Sequence, residues 1–181
     1  MEFLKTERLI LRDLEPGDFE DFYLCSRDLE LCRMLGRDPV TDRESAMPTF
    51  QWLLEKEPRA YGLILRENGR LIGNLTVTEP SQILTFKAGY GCRRGCALSF
   101  ALARAYRRRG LMTEALHGVL DQLFLQEHYE YVNCGFFDFN TASRALQEKL
   151  GFHPAAEETF TAEGERFHVI EQALFREDWK G

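Results

Sequence analysis

The chain has 181 residues, 44% of them hydrophobic and 14 of them Phe, enough to bury one full-sized core and to exclude disorder or a small stapled scaffold. No apolar run approaches the roughly 20 residues of a membrane span, and Met1-Glu2-Phe3-Leu4-Lys5-Thr6-Glu7-Arg8 is too charged for a secretion signal, so a cytoplasmic chain that does not enter the membrane is expected. The net charge of −6 argues against a general nucleic-acid binder, yet residues 80–113 hold seven Lys or Arg and no Asp or Glu, a +7 strip that leaves −13 for the remainder.

No repeat, low-complexity tract or flexible linker divides the sequence, so one domain over residues 1–181 is expected. Leu9, Ile10, Leu11 and Leu14 predict a first strand, and Pro16-Gly17-Asp18 a turn into a helix over 19–27. A second helix is expected over 45–55. Residues 61–66 and 71–78 flank Asn68-Gly69, a hairpin signal. From Cys96 to Ala103 large and small residues alternate, Leu98, Phe100 and Leu102 against Ala97, Ser99, Ala101 and Ala103, which predicts a strand with one bare face. That face either lets a helix pack closely or leaves room for a ligand.

Thr113 is placed to cap the next helix, in which Ala115, Leu116, Val119, Leu120, Leu123 and Phe124 recur at three-to-four spacing through Gln126. A strand at 131–137, a helix at 141–150 stopped by Gly151, and strands at 152–158 and 166–175 joined around Ala162-Glu163-Gly164-Glu165 complete the order.

The chemistry concentrates where the half-bare strand runs into that amphipathic helix. Arg107-Arg108-Arg109-Gly110-Leu111-Met112-Thr113 is a Gly-bearing, Arg-rich turn at a helix N-terminus, where unpaired N–H groups and the helix dipole favour an anion. The charge suits a pyrophosphate better than one carboxylate. Neither the P-loop spacing nor the three glycines of a dinucleotide fingerprint is present. Cys92-Arg-Arg-Gly-Cys96 lacks a second Cys/His pair, so no metal site is expected, and the five cysteines read as thiols of a reducing compartment.

Arg107-x-x-Gly110-x-Met112 resembles the pyrophosphate loop of the GNAT acetyltransferases, and Gly110-Leu-Met-Thr-Glu-Ala115 is similar to its form in the Rim-type branch, the ribosomal-protein N-terminal acetyltransferases. Thr6-Glu-Arg-Leu-Ile-Leu-Arg12 resembles that branch's first strand. Asn140-x-x-Ser143 with Leu150-Gly-Phe152, and Phe167-His168 through Phe175-Arg-Glu-Asp-Trp179, resemble its last helix and closing strand.

The resemblance implies an α/β fold with a mixed, mostly antiparallel sheet of about seven strands, splayed between the fourth (96–103) and fifth (131–137) and flanked by helices. It implies acetyl-coenzyme A as cosubstrate, its pantetheine along Leu102, its pyrophosphate on Arg107, Arg108, Arg109, Gly110, Leu111, Met112 and Thr113, with Asn140 contacting the cofactor and Ser143 near the thioester sulfur. The acceptor would be a primary amine, of a protein N-terminus or of a polyamine, amino acid or aminoglycoside, attacking the thioester directly. Homodimerisation is a family expectation.

Ser143 is the candidate donor to the departing thiolate. Ala97 stands where many Rim-type enzymes carry a carboxylate base, so Glu79, Asp138, His168 or a water chain is the candidate proton acceptor. That missing carboxylate also admits a non-catalytic acyl-coenzyme A sensor. RNA binding through Arg93, Arg94 and Arg107 to Arg109 has less support, since no aromatic platform beyond Tyr106 accompanies them.

Overall fold

The computed structural model describes residues 2–55, 59–162 and 164–181. Its strands are β1 (Glu2–Lys5), β2 (Leu9–Asp13), β3 (Arg59–Leu65), β4 (Leu71–Thr78), β5 (Gly95–Leu102), β6 (Tyr131–Phe137), β7 (His153–Ala162) and β8 (Glu165–Phe175). Its α-helices are α1 (Phe19–Ser26), α2 (Leu29–Met34), α3 (Arg43–Leu54), α4 (Gln82–Thr85), α5 (Leu111–Asp121) and α6 (Thr141–Lys149). The strands form one mixed, mostly antiparallel sheet in the order β1-β2-β3-β4-β5-β6-β8-β7, flanked by helices. By density of contacts the chain falls into two units, residues 1–77 with 100–119, and residues 78–99 with 120–181.

In the first unit β1 to β4 pair antiparallel in chain order. The hairpin expected at Asn68-Gly69 forms as its spacing dictates. Strand β1 is an element that the sequence pattern did not predict, and it makes the strand count eight rather than seven. Only Phe3 and Leu4 of its four residues are apolar, too few for alternation to register, and its pairing with β2 and the stacking of Phe3 on Tyr61 at 4.2 Å supply the order.

Helix α1 begins where expected. Pro16-Gly17-Asp18 forms a single 3-10 turn, and the buried Asp18 carboxylate accepts two bonds from Arg12, at 2.7 and 2.9 Å, and one from the Glu15 N–H. Helices α1 and α3 bury Phe22, Tyr23, Ala46, Phe50 and Leu53 against Leu14, Ala60, Ile64 and Leu71 of the sheet side.

Thr113 does not cap α5. Arg108 (φ 60°) and Gly110 (φ 76°) take left-handed conformations, and the helix starts as soon as the chain leaves them, at Leu111, with the Glu114 N–H closing the first turn on the Gly110 carbonyl at 3.0 Å. The apolar stripe of α5 is buried as its spacing predicts. Its end widens into a π turn over Gln122–Gln126, where the Glu127 N–H reaches the Gln122 carbonyl at 3.0 Å.

In the second unit β5 lies parallel to β6, a pairing that needs a crossover, which α5 supplies. The parallel register comprises Gly95–Tyr131, Cys96–Val132 and Ala97–Asn133; β6 continues to Phe137 without further β5 partners among the described residues. On its other side β6 pairs antiparallel with β8 over its whole length, and β8 with β7. The turn expected around Ala162-Glu163-Gly164-Glu165 joins β7 to β8, but Glu163 lies outside the described residues. Leu84, Tyr131, Ala155 and Ala173 form one buried cluster of this unit, with Tyr90 edge-on to Tyr131 at 5.0 Å.

One ionic contact ties α5 to the β1–β2 turn. The Glu114 carboxylate accepts from the Thr6 hydroxyl (2.6 Å), the Arg8 N–H (2.8 Å) and the Arg8 guanidinium (2.6 Å). Burial alone would raise its pKa, but these bonds outweigh it and hold the carboxyl below its usual range. The stability it contributes is therefore present above the unfolded-state pKa of about 4.3 and is lost as the pH falls through the lower native value. Glu114→Ala should destabilise the fold by about 1–3 kcal/mol at neutral pH, and denaturant titrations should show that deficit shrinking towards acid.

Candidate active site

In the first unit the turn from β5 to α5 gathers every residue expected to hold a pyrophosphate. The N–H groups of Leu111, Met112 and Thr113 occupy the first helical turn, where a helix supplies no intrahelical acceptor, and they coincide with the positive end of the dipole. Leu111 and Met112 are buried and anchor the turn from beneath. The constraint at Gly110 is conformational. A Cβ built there would meet the Arg8 guanidinium at 3.5 Å, an ordinary contact, but φ of +76° is strained for any L side chain.

The three arginines divide their work. Arg107 turns inward: its Nε donates to the Leu102 carbonyl at 3.0 Å, and its guanidinium lies 3.5 Å from Asp28 and 3.3 Å from Glu30. It is engaged in pinning the turn to the end of β5 and to the start of α2. Arg108 and Arg109 are exposed, and Arg109 lies over the Tyr106 ring at 5.8 Å. The Arg109 carbonyl accepts from Arg8 at 2.9 Å, which fixes the peptide just before Gly110. A cavity of about 350 Å³ opens beside this turn, lined by Glu7, Arg8, Leu65, Arg66, Arg109 and Leu111 among others.

In the second unit Asn140 caps α6, its side-chain oxygen accepting the Ser143 N–H at 3.1 Å. Gln147, buried one turn on, donates to the Ser143 hydroxyl oxygen at 2.9 Å, which leaves the hydroxyl proton to be donated elsewhere. Of the candidate proton acceptors, Asp138 and His168 come together: His168 Nδ1 lies 3.6 Å from Asp138, and its Nε2 lies 3.2 Å from Glu157. Glu79 is exposed just past β4.

A further carboxylate of this unit lies outside the motifs that the sequence displays. Glu171, on β8, is half buried and opposite Gly135 of β6 in the register. Asn133, itself buried, donates to its Oε2 at 2.9 Å, and the Ser81 hydroxyl bonds it as well. Burial pushes the Glu171 pKa up, the two bonds pull it down, and the charge of Glu158 raises it again; the net shift is upward. The signal lay in Ile170-Glu171-Gln172-Ala173, where two adjacent polar residues interrupt an apolar strand and one must point to each face. Next to it, Cys134 is fully buried and its thiol pKa is strongly raised by burial, which suits a core thiol rather than a nucleophile. Among the described residues no His, Cys, Asp and Glu cluster could hold a metal ion.

Comparison with known proteins bears on these features. A model described as "Acetyltransferase (GNAT) domain" matches residues 8–153. "Probable N-acetyltransferase YjcK" of Bacillus subtilis is 27% identical over 158 residues, covering 83% of each chain. A GNAT-family acetyltransferase of Bacillus anthracis superposes with a TM-score of 0.81 at 17% identity, over 97% of this chain and 99% of its own. The spermidine N-acetyltransferase of Vibrio cholerae, solved with CoA and spermine, superposes with a TM-score of 0.74 at 16% identity, over 94% of this chain and 97% of its own. At such identities the superpositions speak for the fold, and the match of the domain model over most of the sequence speaks for descent: the chain belongs to the GNAT acetyltransferase family.

Proposed function

We propose that this protein moves the acetyl group of acetyl-coenzyme A to a primary amine by direct attack of the amine on the thioester, residues 1–181 acting as a single domain. The observation that carries the reading is the turn at Arg108 to Thr113, whose left-handed backbone leads straight into a helix N-terminus, whose exposed Arg108 and Arg109 suit a pyrophosphate, and whose Leu111 and Met112 are anchored underneath. Leu102, Arg107, Arg108, Arg109, Gly110, Leu111, Met112 and Thr113 form the cofactor site in this reading, Arg107 by shaping the turn. Asn140 positions Ser143, whose hydroxyl proton serves the departing thiolate.

The motif Gly110-Leu-Met-Thr-Glu-Ala115 favours the Rim-type branch and so a protein N-terminal amine. The superposition on a spermidine N-acetyltransferase makes polyamines the second class to assay. Thiol release from acetyl-coenzyme A, measured with peptides beginning in Ser, Thr or Ala, with polyamines and with aminoglycosides, tests the reading. Turnover with none of them, despite tight cofactor binding, would leave a non-catalytic acyl-coenzyme A sensor.

Gly110→Asp places a negative charge beside the phosphates at a φ that Asp tolerates better than most residues. Calorimetry should show acetyl-coenzyme A affinity falling by ~10-fold or more, about 1.4 kcal/mol, with the circular dichroism spectrum unchanged. Ser143→Ala keeps the backbone cap on Asn140 and should lower kcat more than it weakens cofactor binding; an unchanged kcat would reduce Ser143 to part of the α6 N-terminus.

A further inference from the structure

Three features converge on Glu171. The register aligns Ala97, Asn133 and Ala173 in one row across β5, β6 and β8, and Gly135 with Glu171 in the next row on the same face, since both lie two residues along their strands. Glu171 therefore carries a carboxylate on the face where Ala97 is bare. A Cβ built on Gly135 would stand 2.6 Å from Glu171 Oε1, so the carboxylate lies over the naked backbone of β6, at an exposed glycine within the stretch of β6 that β5 leaves unpaired.

The environment is arranged for a base rather than for an ion pair. Asn133 and Ser81 hold the carboxylate by hydrogen bonds, and Asn133 is itself fixed by the Ser81 N–H at 3.4 Å. Among the described residues, the titratable groups acting on it are Glu158 of β7 and the Cys134 thiol of β6, neither of which offers a positive charge. A half-buried Glu kept only for packing would be paired with a cation or replaced by an apolar residue.

We propose that Glu171 is the general base of the reaction. This rests on the acetyl-transfer reading above. The Glu171 carboxylate takes one proton from the acceptor ammonium; the freed nitrogen lone pair attacks the thioester carbonyl, forming the C–N bond. The C–S bond then breaks, the Ser143 hydroxyl gives its proton to the coenzyme A thiolate, and the second nitrogen proton restores that hydroxyl, giving amide and thiol. The proton on Glu171 returns to solvent, so one proton is released per turnover. A carboxyl whose pKa is raised by burial accepts this proton more readily than an ordinary surface Glu.

The test uses the full chain with acetyl-coenzyme A and whichever amine it acetylates best. Glu171→Gln should lower kcat by about 10²–10⁴-fold, with calorimetric affinity for acetyl-coenzyme A unchanged, and the acidic limb of the kcat/KM profile should disappear. Because the native carboxyl has a raised pKa, its ionisation weakens the fold as pH rises through that value, so the neutral Gln should also raise Tm above neutral pH; a charge kept for structure would do the opposite. Gly135→Ala, which crowds Oε1, should lower kcat in the same direction. One measurement needs no variant. In the parent, the acidic limb should hold nearly constant with temperature, since carboxyl ionisation has little enthalpy, whereas a limb set by an ammonium or by His168 would move. An active parent with a temperature-dependent limb, or a folded Glu171→Gln variant with the parent's rate and profile, overturns the assignment of Glu171 alone. A parent that binds acetyl-coenzyme A but acetylates no amine overturns the acetyl-transfer reading and this proposal with it.

Discussion

Arg8 and Glu114 hold the two sides of the β5–α5 turn in place. The Arg8 guanidinium donates to the Arg109 carbonyl on one side of Gly110 and to the Glu114 carboxylate on the other, while the Arg8 N–H and the Thr6 hydroxyl complete the shell of Glu114. Two left-handed residues in three would otherwise leave this segment free to relax. The contact also removes a conflict. An acid in the first turn of a helix stabilises the dipole but repels any other anion there, and here its charge is already matched by Arg8, so the N–H groups of that turn keep their positive potential.

Charge is divided between local devices rather than spread as a surface average. The basic strip of 80–113 contains arginines with different partners: Arg93 with Glu177, Arg107 with Asp28 and Glu30, and Arg108 and Arg109 exposed on the turn. Acids collect around the closing hairpin, where Glu157 of β7 and Asp138, just past β6, flank His168, and Glu158 acts on Glu171. Among the described residues no cation is paired with Glu171, so its burial makes ionisation costly.

The elements legible in the sequence are those whose signal is local. Asn68-Gly69 specifies a hairpin by backbone conformation, and the stripe of α5 needs only its own spacing. Strand β1 has too few residues for periodicity, and α2, six residues begun by an Asp28 cap on the Leu31 N–H, is too short to show a face. Thr113 misled because its type suits a cap, whereas the backbone of Arg108 and Gly110 decides where the helix begins. The turn from β5 to α5 could be read because its Gly and Arg signal lies in seven consecutive residues. The polar step in Ile170-Glu171-Gln172-Ala173 marks Glu171, but not its surroundings: strand pairing brings Gly135 and Asn133 beside it, and the segment after β4 brings Ser81.

The π turn at Gln122–Gln126 has a consequence for tracing descent. Five residues per bond there accommodate one residue more than a regular helix would, and the surplus lets Leu123 and Phe124 both turn inward while Trp179 packs on Phe124 and donates to Asp121 at 2.8 Å. Such a widened turn holds one residue that a regular α turn of the same rise would not. Relatives whose helix is uniformly α should align to this chain with a one-position gap between Asp121 and Glu127, and an ungapped alignment would shift every residue of β6 by one, placing its inward side chains on the wrong face.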